Sequence, residues 1–461
     1  MKTYRAFPLL VSLLLAVLTA CVPQSDTAAP AVPSQSAATA CPQGCATPTV
    51  TAVEPSPTVT LSPKELAAGQ RITFWHAYST HAVPVIDQLT AEFNQTNEYG
   101  ITVDARGFLT DDQLRAAILA SEPENYPQLI LADSSQILAL AEQQALVDLS
   151  PYLLAGTAVQ ANPDITQASQ NLTLAGKLFA VPALREGVFL LYNNSWAREL
   201  GFTAAPASLE EWELQSGAAF NANIFLPNKA ARGTGGWLFT SDPETFLSWM
   251  GSPAQSAAWD FLNDDEFIQT LTRLKSWQEN GLTWSGKNTD PAGYFVNRQA
   301  LFVTVPSREM PEFLSHLVAL NMPDEWSIIP FPLPAGRVPI GNDYGYAITQ
   351  QSANSQMAAW LFTAWLLDPQ RQAALADAEF AVPLLPEAQA VWLGRAGYPR
   401  LAEGAAQALP GSGEFPMGSR WPILRQILRD AVIQAMLPQT TVENLPGIRD
   451  IMTQLYQEYG N

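Results

Sequence analysis

Side chains suited to non-covalent binding stand at the ends of two predicted strands. Trp75, His76 and Tyr78 end the first strand, and Asp133 and Ser134 follow another. Aromatic faces pack on apolar surfaces, while imidazole, hydroxyl and carboxylate groups form hydrogen bonds. In a parallel sheet such strand ends share one edge, outside which ligands bind. The spacing therefore predicts a ligand site at that edge.

Some of these residues also have a plainer structural interpretation. Trp75 could belong to a core, because strand ends are often buried. Asp133 could cap the helix that follows it. Trp360 and Trp365 lie at helical spacing and are expected to be core residues rather than site residues.

The elements that would position these residues alternate between strands and helices. Strands are predicted at 71–75, 101–106 and 128–132, and helices at 83–94, from Asp111 onward, and at 136–144. Three consecutive βα units predict a mostly parallel sheet covered by helices.

Sequence motifs for common catalytic chemistry are absent. The chain has no HExxH, G-x-S-x-G, P-loop or G-x-G-x-x-G motif. A carboxylate pair could serve a glycosidase, but 43 acidic residues guarantee that pairs exist. A secreted glycan hydrolase therefore stays only as an alternative.

The N-terminus has the layout of a secretory signal. Lys2 and Arg5 precede a mostly apolar run, Phe7 to Leu18, which is shorter than the ~20 residues of a spanning helix. Small residues then lead to Cys21, which resembles the lipobox of bacterial lipoproteins. That resemblance implies cleavage of residues 1–20, acylation of Cys21 and anchoring of the chain outside the cytoplasmic membrane. The alternative is an ordinary signal peptide with a chance cysteine.

Residues 21–70 are predicted to be a disordered tether behind the acylated cysteine. Residues 22–63 contain no aromatic side chain and are mostly Pro, Ala, Ser and Thr, a composition that cannot build a core. Cys41 and Cys45 within this segment suggest a local disulfide, with a thiol pair or metal clip as alternatives. All three histidines lie elsewhere, so no metal site is predicted.

The remaining chain, from about Arg71, is long enough for two cores. The net charge of the whole chain is −19. Such a strongly negative charge argues against nucleic acid and anionic lipid surfaces as partners. All three cysteines precede this part, so it holds neither a disulfide nor a cysteine nucleophile.

Segments in a shared order along residues 71–455 carry a family resemblance. They are Arg71–Ala77, Pro127–Asp133, Gln144–Tyr152, Gly176–Pro182, Leu190–Asn194, Ser208–Trp212, Trp326–Pro332 and Ala358–Pro369. Together they resemble the extracellular solute-binding protein family 1, the ligand-capturing subunits of sugar-type ABC importers. Two regions depart from the family pattern, residues 216–223 after a helix predicted to be short and residues 341–345.

The resemblance implies a periplasmic-binding-protein-like α/β fold. Two lobes with mainly parallel sheets would be joined by hinge strands, with the ligand in the cleft between them. We expect the first lobe to comprise 71–182 and 304–341, and the second lobe 183–303 and 342–461, including C-terminal helices. The chain would cross near 181–191, return near 303–306, and cross again near 341–348.

The resemblance also implies a function and further site residues. The protein would capture a sugar or related polyol by lobe closure and deliver it to an ABC importer, as a monomer without a cofactor. Oligosaccharide, monosaccharide, polyol and glycerol phosphodiester remain open, and a tethered adhesion or scaffold domain is the alternative. The additional candidates for ligand contact are Trp237, Asp343, Tyr344, Tyr346 and Arg420, the last of which could instead be a surface ion-pair partner.

Overall fold

A computed structural model of the chain describes residues 62–154, 169–224, 233–239, 242–253, 261–285, 290–395, 399–408 and 421–459, all within the compact unit Pro57–Asn461. Several sequence predictions lie outside these residues: the signal peptide, the lipidation of Cys21, most of the tether, the state of Cys41 and Cys45, and the role of Arg420.

Strands in the described residues are short to medium in length. They are β1 (Arg71–His76), β2 (Thr102–Gly107), β3 (Leu129–Asp133), β4 (Thr173–Leu174), β5 (Lys177–Leu178), β6 (Val181–Glu186), β7 (Val188–Asn193), β8 (Gly235–Phe239), β9 (Ser252–Pro253), β10 (Thr283–Ser285), β11 (Ala300–Pro306), β12 (Trp326–Ile329), β13 (Arg337–Val338), β14 (Asn342–Ile348) and β15 (Val382–Pro383).

Helices surround these strands. They are α1 (Val83–Thr96), α2 (Asp111–Leu119), α3 (Ser134–Glu142), α4 (Ser150–Leu154), α5 (Asn194–Glu199), α6 (Leu209–Ile224), α7 (Pro243–Met250), α8 (Asp265–Glu279), α9 (Pro291–Val296), α10 (Met310–Ala319), α11 (Ala353–Leu366), α12 (Pro369–Glu379), α13 (Pro386–Arg395), α14 (Pro399–Ala408), α15 (Trp421–Ala435) and α16 (Leu445–Tyr459). In this part of the chain, no helix combines the length and apolarity needed to cross a membrane.

The first lobe is built on a six-stranded sheet in the order β15-β6-β14-β3-β1-β2. β1 pairs in parallel with β2 and β3, as the βα pattern predicts, whereas β14 runs antiparallel to both β3 and β6. Asn94 of α1 fixes β2, because its amide both donates to the Val103 carbonyl (2.9 Å) and accepts from the Val103 amide (2.7 Å). Phe93 and Phe362 pack together between α1 and α11 behind this sheet.

The second lobe is built on a five-stranded sheet in the order β10-β8-β11-β7-β12. β8 pairs in parallel with β10 and β11, and β7 runs antiparallel to β11 and β12. One face of the sheet packs on a cluster of four tryptophans, which are Trp212, Trp237, Trp249 and Trp277. α15 and α16 contribute buried residues to the same core.

The chain crosses between the sheets at Gly187, which separates β6 from β7, and again just before β14. Ser307, directly after β11, is hydrogen-bonded to Gly187 at the first crossing. Its Oγ accepts a hydrogen bond from the Gly187 amide at 2.9 Å, and its own amide donates to the Gly187 carbonyl at 2.8 Å. The first crossing expected from the sequence is thus where the sheets separate.

The lobe boundaries expected for the later segments are wrong. β11 stays in the second sheet between β7 and β8, and β12 also belongs there, so 304–341 lies largely in the second lobe. β14 and β15 belong to the first sheet instead, whereas the C-terminal helices α15 and α16 lie in the second lobe as expected. The strands β7 and β11 are both almost fully buried, so their apolar sequences do not reveal which sheet they join.

The helix after Trp212 is longer than the sequence suggests. α6 continues through Gly217 to Ile224 rather than ending near Ser216. The close approach of Gly236 and Gly235 to this helix explains its extension, because a Cβ at Gly235 would lie 2.4 Å from the Ala219 carbonyl oxygen. Packing against β8 therefore overrides a weak local preference.

Candidate functional site

Polar residues of the first lobe meet at the end of its sheet that faces the crossings. β1, β3 and β6 end there at His76, Asp133 and Glu186, and antiparallel β14 begins there at Asn342. We call this the crossing edge. It is the position at which the sequence predicts a ligand site.

His76, Tyr78 and Tyr346 form a buried group beneath the crossing edge. The hydroxyls of Tyr78 and Tyr346 are 2.8 Å apart, and the His76 and Tyr78 rings lie 5.0 Å from each other. All three residues are at most 2% exposed. The expectation that they offer ring faces to a ligand is wrong, because His76 points to the same face of β1 as Phe74, into the lobe core.

Burial of His76 has a consequence for pH dependence. Burial lowers the pKa of His76 to about 4, so between about pH 6.5 and 4 the unfolded chain binds a proton there that the folded protein does not. The contribution of His76 to the free energy of unfolding is therefore lost as the pH falls through that window. His76→Gln is expected to remove up to about 3 kcal/mol of that loss.

Chemical denaturation of both proteins at a series of pH values measures this difference. The free energy of unfolding of the wild type should fall relative to that of His76→Gln by up to about 3 kcal/mol between pH 7 and 4. Curves that stay parallel from pH 7 to 4 would show that His76 is not the group responsible.

Asp133 and Ser134 serve the helix that follows them. The Asp133 carboxylate accepts from the Gln136 amide at 2.9 Å and from the Ser135 hydroxyl, and so caps α3. Arg115 lies 3.5 Å from the other carboxylate oxygen. Ser134 is 2% exposed. The capping interpretation of Asp133 is confirmed, and both residues are buried.

Asp343 forms a buried ion pair inside the first lobe. Its carboxylate receives two hydrogen bonds from Arg185, at 2.6 and 2.7 Å, and one from Asn171 at 2.8 Å. The two charged side chains are 1% and 3% exposed. The expectation that Asp343 accepts ligand hydroxyls is therefore corrected: it holds β14 to β6 beside the crossing.

The two tryptophan candidates differ in their surroundings. Trp237 is completely buried in the tryptophan cluster of the second lobe, with ring centroids 5.1 Å from Trp249, so its placement at a ligand site is wrong. The preceding glycines allow β8 to pack closely on α6 rather than forming a flexible loop at the site. Trp75 is only partly buried, and its ring lies 5.2 Å from that of Phe108.

An ionic cluster that the sequence reasoning missed occupies the crossing edge. Arg308 contacts three carboxylates, with distances of 2.6 Å to Glu186, 3.0 Å to Asp111 and 3.9 Å to Glu379. Tyr344 joins this cluster, because its hydroxyl donates to Asp111 at 2.9 Å and the Arg308 guanidinium lies 4.8 Å from its ring centre.

Burial raises the pKa of all three carboxyls, and that of Glu186 reaches about 8, although Arg308 lowers it. One guanidinium therefore faces three carboxyl groups whose surroundings favour the protonated form more than water does. A sequence signal was available: Arg185 and Glu186 interrupt an otherwise apolar run before Gly187. Charged residues inside a buried run require partners.

Two acceptor oxygens near this cluster lack hydrogen-bond partners among the described residues. They are Asp111 Oδ1 and Asn342 Oδ1, and both atoms are shielded from water. An unmatched buried acceptor costs about 1–3 kcal/mol, so both oxygens favour an added donor. Among all the residues that the structure describes, no group of three His, Cys, Asp or Glu residues is arranged to hold a metal ion.

Comparison with known proteins gives one family match and many structural matches. The sequence model described as bacterial extracellular solute-binding protein matches residues 88–398. No curated protein matches the chain significantly.

Solved structures with the same fold include sugar-binding proteins. The sugar-binding protein MalE of Xanthomonas citri is 17% identical, with a TM-score of 0.68 over 84% of this chain and 98% of that one. An ABC substrate-binding protein of Listeria monocytogenes, in complex with cycloalternan, is 16% identical, with a TM-score of 0.67 over 85% and 99%. The GacH receptor of Streptomyces glaucescens is 15% identical, with a TM-score of 0.66 over 85% and 100%. At these identities the likeness establishes a shared two-lobed α/β fold.

Proposed function

Because the chain belongs to the bacterial extracellular solute-binding proteins, we propose that it captures a carbohydrate outside the cytoplasmic membrane and delivers it to an ABC importer. Solute binding, rather than catalysis, is the role of this family. The protein would act as a monomer and would need no cofactor.

The observation that carries the carbohydrate assignment is the acceptor-rich crossing edge. Asp111 and Asn342 each have a buried oxygen without a hydrogen-bond partner in the described residues, beside the carboxyl groups of the ionic cluster. A carbohydrate supplies many hydroxyl donors on a compact ring. Hydroxyl groups would satisfy these acceptors without bringing in another negative charge.

Trp75 is the aromatic that we assign to the apolar face of the sugar. It remains partly exposed and packs beside Phe108, which also follows a strand end of the first lobe. The guanidinium of Arg106 lies 5.1 Å from the Trp75 ring centre. Arg420, next to the second-lobe residue Trp421, remains a proposed contact from that lobe.

Lobe closure would couple capture to delivery. Gly187 and the residues before β14 connect the lobes, and rotation about these crossings would bring the second lobe over the crossing edge. The carbohydrate must bind the closed arrangement more tightly than the open one, because only differential affinity shifts such an equilibrium.

Native mass spectrometry of protein purified without refolding tests the proposal. We expect a fraction of the molecules to carry an adduct whose mass equals one or more hexose units, and unfolding to release it. An adduct of another chemical class, such as a peptide, would contradict the carbohydrate assignment.

Lipid anchoring through Cys21 is a separate part of the proposal. It is supported by the basic start, the short apolar run and the small residues that precede this cysteine. Wild-type protein is expected to fractionate with membranes and to carry lipid, whereas Cys21→Ser should be unacylated and released. Intact-mass measurement of both proteins decides the matter, and an equal lipid content in the two would rule out this anchor.

A further inference from the structure

Arg308 lies in the second lobe, but its side-chain contacts lie in the first. It follows β11 of the second sheet and precedes α10. Its guanidinium binds Glu186 at the end of β6 (2.6 Å), Asp111 at the start of α2 (3.0 Å) and the Ala77 carbonyl after β1 (3.1 Å). We call this set of contacts the interlobe bridge.

The backbone beneath Arg308 is fixed to the crossing. The preceding residue, Ser307, exchanges hydrogen bonds with Gly187 through both its amide and its hydroxyl. This attachment directs the Arg308 side chain toward the first lobe. A small rotation at Gly187 would therefore change the distances from the guanidinium to partners on β6, α2 and the loop after β1 together.

The charge balance makes the bridge sensitive to the loss of Arg308. Glu186, Asp111 and Glu379 lie on different elements of the first lobe and face one guanidinium. Without it, three carboxyl groups would remain at a partly buried edge without their guanidinium partner. Arg308 attracts these groups from the second lobe, so its loss would remove an attraction between the lobes, and opening would give the carboxyl groups access to water.

We infer that Arg308 is a positioning residue that holds the two lobes in their mutual arrangement and thereby sets the free-energy difference between the closed and open states. Its consequence for affinity rests on the proposed function. The bridge itself requires no solute, so the two ideas can fail separately.

Electron–electron distance measurements on a doubly spin-labelled chain test this inference. Leu119 on α2 and Val318 on α10 are 66% and 69% exposed, lie in different lobes and can be changed to cysteine in a full chain whose three native cysteines are serine. Without solute, Arg308→Gln should lengthen or broaden the distance distribution relative to the unmodified Arg308. Arg308→Lys, which keeps the charge but loses the planar fork, should give an intermediate result.

Arg298 provides a matched control. It also binds two carboxylates, Asp324 (2.7 Å) and Glu199 (2.6 Å), but all of these residues lie in the second lobe. Arg298→Gln should lower stability without changing the interlobe distance. An equal distance change in both arginine variants would show general loosening and overturn the inference, as would an unchanged distribution in folded Arg308→Gln.

Two further measurements keep the test decisive. If Arg308→Gln does not fold, Asp111→Ala removes one partner while leaving the arginine. This variant should shift the distance distribution in the same direction by less, and no shift would overturn the inference.

With maltose as the probe, Arg308→Gln should weaken binding roughly tenfold. If wild-type protein does not bind maltose but the distance change occurs, the bridge stands and only the sugar assignment is challenged; unchanged maltose affinity would contradict the bridge.

Discussion

Trp237→Ala is expected to lower the free energy of unfolding by about 3–5 kcal/mol, because it removes a fully buried indole from the tryptophan cluster of the second lobe. The fraction that remains folded should keep the wild-type affinity for carbohydrate, since this side chain does not reach the crossing edge. Chemical denaturation gives the stability, and titration calorimetry on the folded fraction gives the affinity.

Trp75→Ala is the matched comparison for this effect. Trp75 is partly exposed and packs on Phe108, so its removal should cost less stability than that of Trp237. If it stacks on the sugar, its affinity loss should be about tenfold. The opposite pattern, with a large stability loss at Trp75 and an affinity loss at Trp237, would exchange their assigned roles.

Asp343→Ala should also destabilise the protein by about 3–5 kcal/mol. The substitution removes the carboxylate that receives two hydrogen bonds from Arg185, a guanidinium that is only 3% exposed. Leaving a buried charge without its opposite charge is costly, whereas replacing both partners by apolar residues is far less so. The double change Arg185→Met with Asp343→Leu should therefore recover much of the loss.

An exposed ion pair supplies the control. Arg198 and Glu325 lie 2.7 Å apart with 52% and 73% of their side chains exposed. Glu325→Ala should change the free energy of unfolding by less than about 1 kcal/mol. If Asp343→Ala costs no more than Glu325→Ala in denaturation experiments, the buried pair does not contribute as its geometry indicates.

The sequence was most informative where the signal is local. The alternation that predicts the first βα units depends on residues a few positions apart, and the helix cap of Asp133 lies within three residues. Lobe membership of β11 and β14 depends instead on pairing with strands at least 65 residues away. Pairing in either the first or the second sheet would bury the same apolar residues of these strands. Local periodicity therefore does not indicate which sheet they join.

The candidate site shows the same limit. Residue type suggested that Trp237, Tyr346 and Asp343 bind ligand, but the partners that bury them come from distant segments. Arg185, for example, lies 158 residues before Asp343. Arg308 was overlooked for the corresponding reason, since its carboxylate partners are spread over α2, β6 and α12. Residue types in the sequence therefore predicted which edge of the sheet carries the candidate site better than they predicted which side chains act there.

Thermal unfolding across a panel of mono- and oligosaccharides, with polyols and a glycerol phosphodiester included, tests carbohydrate capture most directly. At a concentration 100 times its dissociation constant, a bound ligand adds about 2.7 kcal/mol to the free energy of unfolding. We predict that at least one carbohydrate raises the unfolding midpoint in a concentration-dependent, saturable manner. Cooperative unfolding that no carbohydrate shifts, or that only the phosphodiester shifts, would contradict the account.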